Sequence, residues 1–244
     1  MRLAAAFLLL FPLSANAGGI DWEGKGSQLV GEILANPGAF FFDFQQDLEA
    51  TKPLPPGKAK GLSMGIFPSL LPAGYVNLSG QLRIHPEGKW SPSVPQLDVF
   101  GGYWDMAWAE IVANQAKDDV SDAAFNGYYF GAMATASLSP RARVFAGYKH
   151  SALTAKLTLK KTQKILGTDV NSFKSGLRDD FLITGIEIPT GVSKWWSLQL
   201  NYGFATKTVA SKVTWCGKNF ELGLNIYPEG VIVVHPVWNF HVYF

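Results

Sequence analysis

Along most of this chain apolar and polar side chains alternate with a period of two, and that pattern restricts the fold more than any other feature. A strand sends successive side chains to opposite faces, so sustained alternation marks a sheet with one apolar and one polar face. In WWSLQLNYGF, Trp196, Leu198, Leu200, Tyr202 and Phe204 share one face, and Ser197, Gln199, Asn201 and Gly203 the other. YVNLSGQLRI sets Val76, Leu78, Leu82 and Ile84 against Asn77, Ser79, Gln81 and Arg83. RARVFAGYKH sets Ala142, Val144, Ala146 and Tyr148 against Arg141, Arg143, Gly147 and Lys149, and FLITGIEI sets Leu182, Ile186 and Ile188 against Gly185 and Glu187. NFELGLNIY opposes Phe220, Leu222, Leu224 and Ile226 to Glu221, Gly223 and Asn225.

FFFDFQ, GLSMGIF, QLDVFGGYWDMAW and NGYYFGAMATASL read the same way, giving about ten strands of about ten residues. The pattern shifts at Gly101-Gly102, which predicts a bulge there. Pro189-Thr190-Gly191 and Pro228-Glu229-Gly230 mark turns; 51–60 is a Pro-rich loop; 109–123 and 160–176 are longer polar connections. No stretch after the N-terminus approaches the roughly 20 apolar residues of a transmembrane helix.

The first residues, MRLAAAFLLLFPLSANA, combine Arg2, an apolar core and an Ala15-Asn16-Ala17 cleavage pattern, so 1–17 is expected to be a secretory signal peptide. Residues 18–244 are then one β domain, with Leu29, Ile33 and Leu34 predicting a short helix within 20–36. Cys216 is the single cysteine, so no internal disulfide forms. A formal net charge of +2 is too small to argue for nucleic acid.

Alternating strands build both soluble sandwiches and membrane barrels. Large rings near strand ends (Tyr75, Trp104, Trp108, Tyr128, Trp195, Trp196, Tyr227, Phe244) are expected on the apolar face, where a membrane barrel places aromatic girdles. The chain closes on Trp238, Phe240, Val242 and Phe244 at alternate positions. In this the chain resembles bacterial outer-membrane β-barrel proteins, whose last strand ends on an aromatic residue read by the barrel-insertion machinery.

The resemblance implies a closed, antiparallel, up-and-down transmembrane β-barrel of about ten strands (eight or twelve would also fit) in the Gram-negative outer membrane, with outer-membrane lipid and the assembly machinery as partners. Arg83, Arg141, Arg143, Lys149, Glu187, Gln199, Asn201, Glu221, Asn225, His235 and His241 would face the lumen. Charged side chains in so small a barrel predict a largely filled or narrow interior, with a structural, binding or narrow-channel role and not that of a general porin. With both termini in the periplasm, this strand count turns the tight connections Ser139-Pro140, Pro189 to Lys194 and Pro228 to Gly230 outward, against the family's habit of short turns inside. Either the barrel is atypical in this respect or the strand count is off, with Thr206 to Trp215 the region where a strand would be miscounted.

No catalytic group, cofactor or metal is expected. Some barrels of this kind hydrolyse lipids with a His-x-Ser pair on one strand face; here His150 and Ser151 are adjacent, so a strand separates them. His235 and His241 lie roughly 20 Å apart along a strand, too far to share a metal. Two alternatives remain open from sequence, a membrane lipid hydrolase and a secreted soluble β-sandwich.

Overall fold

The computed structural model describes residues 42–244 apart from 44, 48, 67–74, 92, 107–119, 166–167 and 230–232. The expected signal peptide and the expected helix within 20–36 lie outside the described residues. Ten antiparallel strands form a closed barrel in up-and-down order: β1 (Lys60–Ile66), β2 (Tyr75–His85), β3 (Gln96–Met106), β4 (Val120–Ser139), β5 (Ala142–Ile165), β6 (Thr168–Gly191), β7 (Lys194–Gly203), β8 (Val209–Cys216), β9 (Phe220–Ile226) and β10 (Val234–Tyr243). Closure comes where β1, paired with β2 on one edge, takes β10 on the other, with Gly61 opposite Tyr243 and Ile66 opposite Trp238. Just beyond, Phe244 N donates to Lys60 O at 2.9 Å and Ala59 N to Phe244 O at 2.8 Å. Within the closed ring every strand has a neighbour on both sides, so none of the ten is an edge strand there.

The period of two becomes the outside and the inside of the wall. In β7 every residue alternates, so that Leu198 and Leu200 are each 47% exposed while Gln199 between them is 3% exposed. Leu62, Leu78, Val99, Phe130, Leu182, Leu224 and Trp238 continue the apolar outer surface around the barrel. Ser63, Asn77, Ser79, Gln81, Thr135, Ser197 and Thr214 are among the inner residues.

The strand inventory differs from the sequence reading at two places that cancel in number. FFFDFQ is not a strand: residues 42, 43 and 45–47 are helical and sit inside the barrel. β8 is a strand that the alternation hides, because outward Ser211 is polar while inward Ala210 and Cys216 are not. With β8 in place, Ser139-Pro140 and Pro189 to Lys194 lie at the end that holds Lys60 and Phe244 (the near end), and only the 227–233 connection lies at the far end with 204–208. Two of the three tight connections thus move to the near end, and the one that follows β9 stays at the far end.

Other expectations also change. Pairing runs unbroken through Gly101 and Gly102, and the register shift falls between Arg83 and His85. Gly102 instead makes room for a neighbour, since a Cβ there would meet the Tyr129 ring at 2.5 Å. Trp104, Trp195 and Tyr227 are buried on the inner side, while Tyr128, Trp196 and Phe244 do face outward; Trp108 lies outside the described residues, and the Tyr75 side chain is among those not described. Residues 160–176, expected as a connection, are strand apart from 166–167. β4, β5 and β6 are 20, 24 and 24 residues long, against 11 for β3 and 10 for β7. Pairing to β3 stops at Asn126 and pairing to β7 at Phe181, so beyond the far rim these three strands pair with one another as a tongue.

Inward rings are accommodated by glycines across the ladder. A Cβ on Gly185 would strike the Phe145 ring and the Leu198 carbonyl oxygen, and the carbonyl belongs to the ladder and cannot move away. Outward Gly80 has nothing nearer than Leu62 Cδ2 at 3.9 Å. Gly185→Val is therefore expected to cost about 1–3 kcal/mol through overpacking. Gly80→Val is expected to be near neutral. Denaturant unfolding of the purified protein measures both, and equal effects would refute the inward packing.

Candidate functional site

The polar lumen of a small barrel must be filled by side chains, water or another segment. Here the chain supplies the filling. Residues 42–54 run through the lumen from the far mouth to the near mouth, and β1 begins after the turn at 56–57. At the far mouth Tyr227 Oη donates to Asp43 O at 3.2 Å, and the Phe42 ring centroid lies 6.0 Å from that of Phe181. A short helical turn suits this position, because it pairs its own backbone groups where no wall strand is free to do so.

Deeper in, the segment matches the wall residue by residue. Asp47 Oδ1 accepts from Asn225 Nδ2 and Oδ2 meets His235 Nδ1, each at 2.5 Å, and Lys212 Nζ donates to Asp47 O at 3.2 Å. Glu49 forms an ion pair with Lys149, both with side chains 0% exposed, and accepts from Ser151 Oγ at 2.6 Å. Gln45 Nε2 also donates to Ser151 Oγ, at 2.8 Å. Ala50 N donates to Tyr129 Oη at 2.9 Å.

Toward the near mouth Gln199 Nε2 donates to Thr51 Oγ1 at 2.8 Å and to Asn201 Oδ1 at 2.7 Å. Lys52 forms an ion pair with Glu221 and approaches His241 Nδ1 at 3.3 Å. His241 Nε2 lies 3.1 Å from Gly217 O, which can only accept, so Nε2 carries the proton and Nδ1 accepts from Lys52. Leu54 N donates to Asp98 Oδ2 at 2.9 Å, while Arg83 bridges Asp98 Oδ1 at 3.2 Å and Leu54 O at 3.0 Å. Arg143 Nη1 donates to Glu187 Oε2 at 2.9 Å and Nη2 to Gln96 Oε1 at 3.1 Å.

A charge taken from water is tolerated when it is paired and its remaining hydrogen-bonding capacity is met. The wall alone does not meet that condition at Lys149, whose carboxylate comes from Glu49 of the segment; Glu221 likewise receives its ion-pair cation from Lys52. The interior is a set of complementary halves, one on the wall and one on the segment.

Of the residues read from sequence as lumenal, Arg83, Arg143, Lys149, Glu187, Gln199, Asn201, Glu221, Asn225, His235 and His241 all lie on the inner side, and all take part in this network. Arg141 does not. It is exposed in the β4–β5 turn, where Arg141 N donates to Ser139 Oγ at 3.1 Å, because Ser139-Pro140 reverses the chain one residue before the strand resumes. Asp47, Glu49, Lys52, Asp98, Ser151 and Lys212 belong to the network and carried no sequence signal as a group. Three of them, Asp47, Glu49 and Lys52, fall in the polar run QQDLEATK, which overlaps the start of the Pro-rich loop.

His150 and Ser151 point to opposite sides of β5. Ser151 is buried against Glu49 and Gln45, while His150 is on the outer wall with Nδ1 2.7 Å from Asp180 Oδ1. Asp179 faces in and holds the far turn, accepting from Ala205 N at 2.7 Å and Thr206 N at 3.0 Å. Among the described residues no group of three or more His, Cys, Asp or Glu is placed to hold a metal ion. Cys216 is buried and donates from Sγ to Glu221 Oε2 at 3.5 Å. A cavity of about 340 Å³ opens at the near mouth between Pro55, Lys58, Lys194, Trp195, Lys218 and Tyr243. No protein-family model matches this chain, and no curated protein is similar to it in sequence.

The matched halves make a measurable claim. Glu49→Ala strands the Lys149 ammonium, with an expected loss of about 3–5 kcal/mol. Glu49→Leu combined with Lys149→Met recovers most of that loss, since an apolar pair of similar volume replaces a buried ion pair at little net cost. A double-mutant cycle by denaturant unfolding measures it, and additive single-site effects would count against the pairing.

Proposed function

We propose that this chain is an integral outer-membrane β-barrel protein of the bacterial kind, plugged by its own lumenal segment and serving a structural or binding role without enzymatic chemistry. One observation carries the reading. The closed wall is apolar outside and polar inside, the inverse of a soluble β-protein. A sandwich in water would seal Leu198, Leu222 and Phe240 between its sheets; here they are 47%, 41% and 42% exposed. So large an apolar surface around a soluble monomer would drive aggregation. Against acyl chains it is solvated, and the closed ladder satisfies the backbone where no water is available.

Rings at two levels support the same reading. Tyr103, Tyr128, Phe130, Tyr148, Tyr202 and Phe204 are exposed toward the far end, and Trp196 and Phe244 toward the near end. Trp238, Phe240, Val242 and Phe244 all face outward on the closing strand, where they would serve as the signal to the assembly machinery. The near end, with its tight turns and the C-terminus, is the periplasmic end in this reading. The plug disfavours a general pore.

Outer-membrane fractionation with heat-modifiable gel migration tests the proposal; recovery in the soluble fraction without a heat shift would overturn it. In planar bilayers the wild type is expected to lack steady porin-size conductance, and a stable open pore would overturn the plug. Sidedness gives a further expectation: an epitope in the 204–208 turn and one at 192–193 should be reached from opposite sides of the membrane, and labelling of both from one side would overturn the spanning reading.

A further inference from the structure

The outward face of β5 and β6 changes character at one level. Read from the near end, β6 presents Ile188, Ile186, Thr184 and Leu182, then Asp180, Arg178 and Lys174. β5 presents Val144, Ala146 and Tyr148, then His150, Thr154 and Lys156. The change coincides with the ring level: Tyr148 pairs across with Leu182 and His150 with Asp180. At that boundary Asp180 Oδ1 accepts from Tyr148 Oη at 2.5 Å and meets His150 Nδ1 at 2.7 Å, while the His150 ring packs on Phe130 at 5.2 Å. The boundary is thus a built structure, with its carboxylate satisfied by two neighbours.

Above it stand cations in two tiers. Arg178 is one outward position beyond Asp180. Lys174 is four residues further, roughly 13 Å along the strand. Lys174 lies directly opposite Lys156 on the same outward face. Like charges in that position destabilise a sheet unless an anion lies between them. Asp122 on β4 pairs with Lys156, with side chains 46% and 39% exposed. Neither Lys174 nor Arg178 forms an ion pair with any described residue, and both are exposed.

We propose that this face of the tongue binds a lipid whose extended head group carries phosphate at two heights, with its acyl chains lying on the apolar wall below. Arg178 takes the phosphate nearest the acyl chains, and Lys174 with Lys156 takes the outer one. Apolar wall, ring level and cations follow one another on the same two strands, Lys174 and Arg178 of β6 having no ion-pair partner among the described residues and Lys156 of β5 sharing Asp122, so an anionic amphiphile complements all three levels and a soluble anion only the last. The inference rests on the membrane reading above.

The test uses full-length protein in phosphatidylcholine nanodiscs doped equally with phosphatidylinositol and phosphatidylinositol 4-phosphate. Native mass spectrometry counts the lipid that each protein retains. Preferential retention of phosphatidylinositol 4-phosphate is expected. Lys174→Gln with Arg178→Gln should lower its retention by about fivefold for each cation lost. These side chains are exposed and outside the interior network, so the barrel itself should be unaffected. Lys58→Gln, an exposed lysine at the opposite end, should change nothing. Equal retention of the two lipids, or an unchanged preference in the double variant, would overturn the proposal. So would free inositol 1,4-bisphosphate displacing the lipid at matched concentration, which would show that the head group alone is bound. Failure to enter nanodiscs at all would overturn the membrane reading and this site with it, whereas entry without a phosphate preference would overturn this site alone.

Discussion

Everything in the molecule depends on the ladder between β1 and β10. Until those two strands pair, the wall is an open sheet with two unsatisfied edges and no interior. Once Gly61 stands opposite Tyr243 and Ile66 opposite Trp238, each side chain is assigned to one of two environments by parity alone. A slip of one residue in that seam would turn Met64 and Leu62 into the lumen and Ser63 out. The register is held by the apolar row outside and by the backbone bonds of Phe244 beyond the last pair. The terminal residue is therefore part of the closing seam.

An inside that is polar and narrow creates a second constraint. Buried charge must be matched, and in a wall made of ten strands the matching groups do not all come from neighbouring strands. Residues 42–54 bring Asp47, Glu49 and Lys52 to Asn225, Lys149 and Glu221. Inward rings add apolar packing around this network, and glycines on adjoining strands give them space. Such an interior resembles a protein core in density but an ion-pair lattice in chemistry, which suits a barrel that holds its shape more than one that conducts.

Much of this was legible from spacing. The strongly alternating strands, β7 and β10 above all, can be read one residue at a time, and the inward placement of Gln199, Asn201, His235 and His241 follows directly. Three kinds of feature were not legible, each for a physical reason. β8 lacks polarity contrast, since Ser211 faces out and Ala210 and Cys216 face in. FFFDFQ has the period of a strand, but a strand also needs a partner, and closure of β1 on β10 leaves none. Trp104 and Trp195 face in because the lumen offers room between opposing residues, and that room is a cross-strand property invisible along one segment. The ion pairs to residues 42–54 were hidden for the same reason: they join positions about a hundred or more residues apart.

The path of residues 42–54 also bears on the order in which the molecule can be made. Only residues 55–59 separate the lumenal segment from β1, so both enter the barrel's construction together. A closed cylinder would have to be threaded from its near end by the whole preceding chain; an open one need only curl around a segment already resting on its inner surface. The economical sequence of events lays that segment down first and joins the seam last. In that order the interior network, with Glu49 and Lys52 in place, would serve as a mandrel for the closing wall.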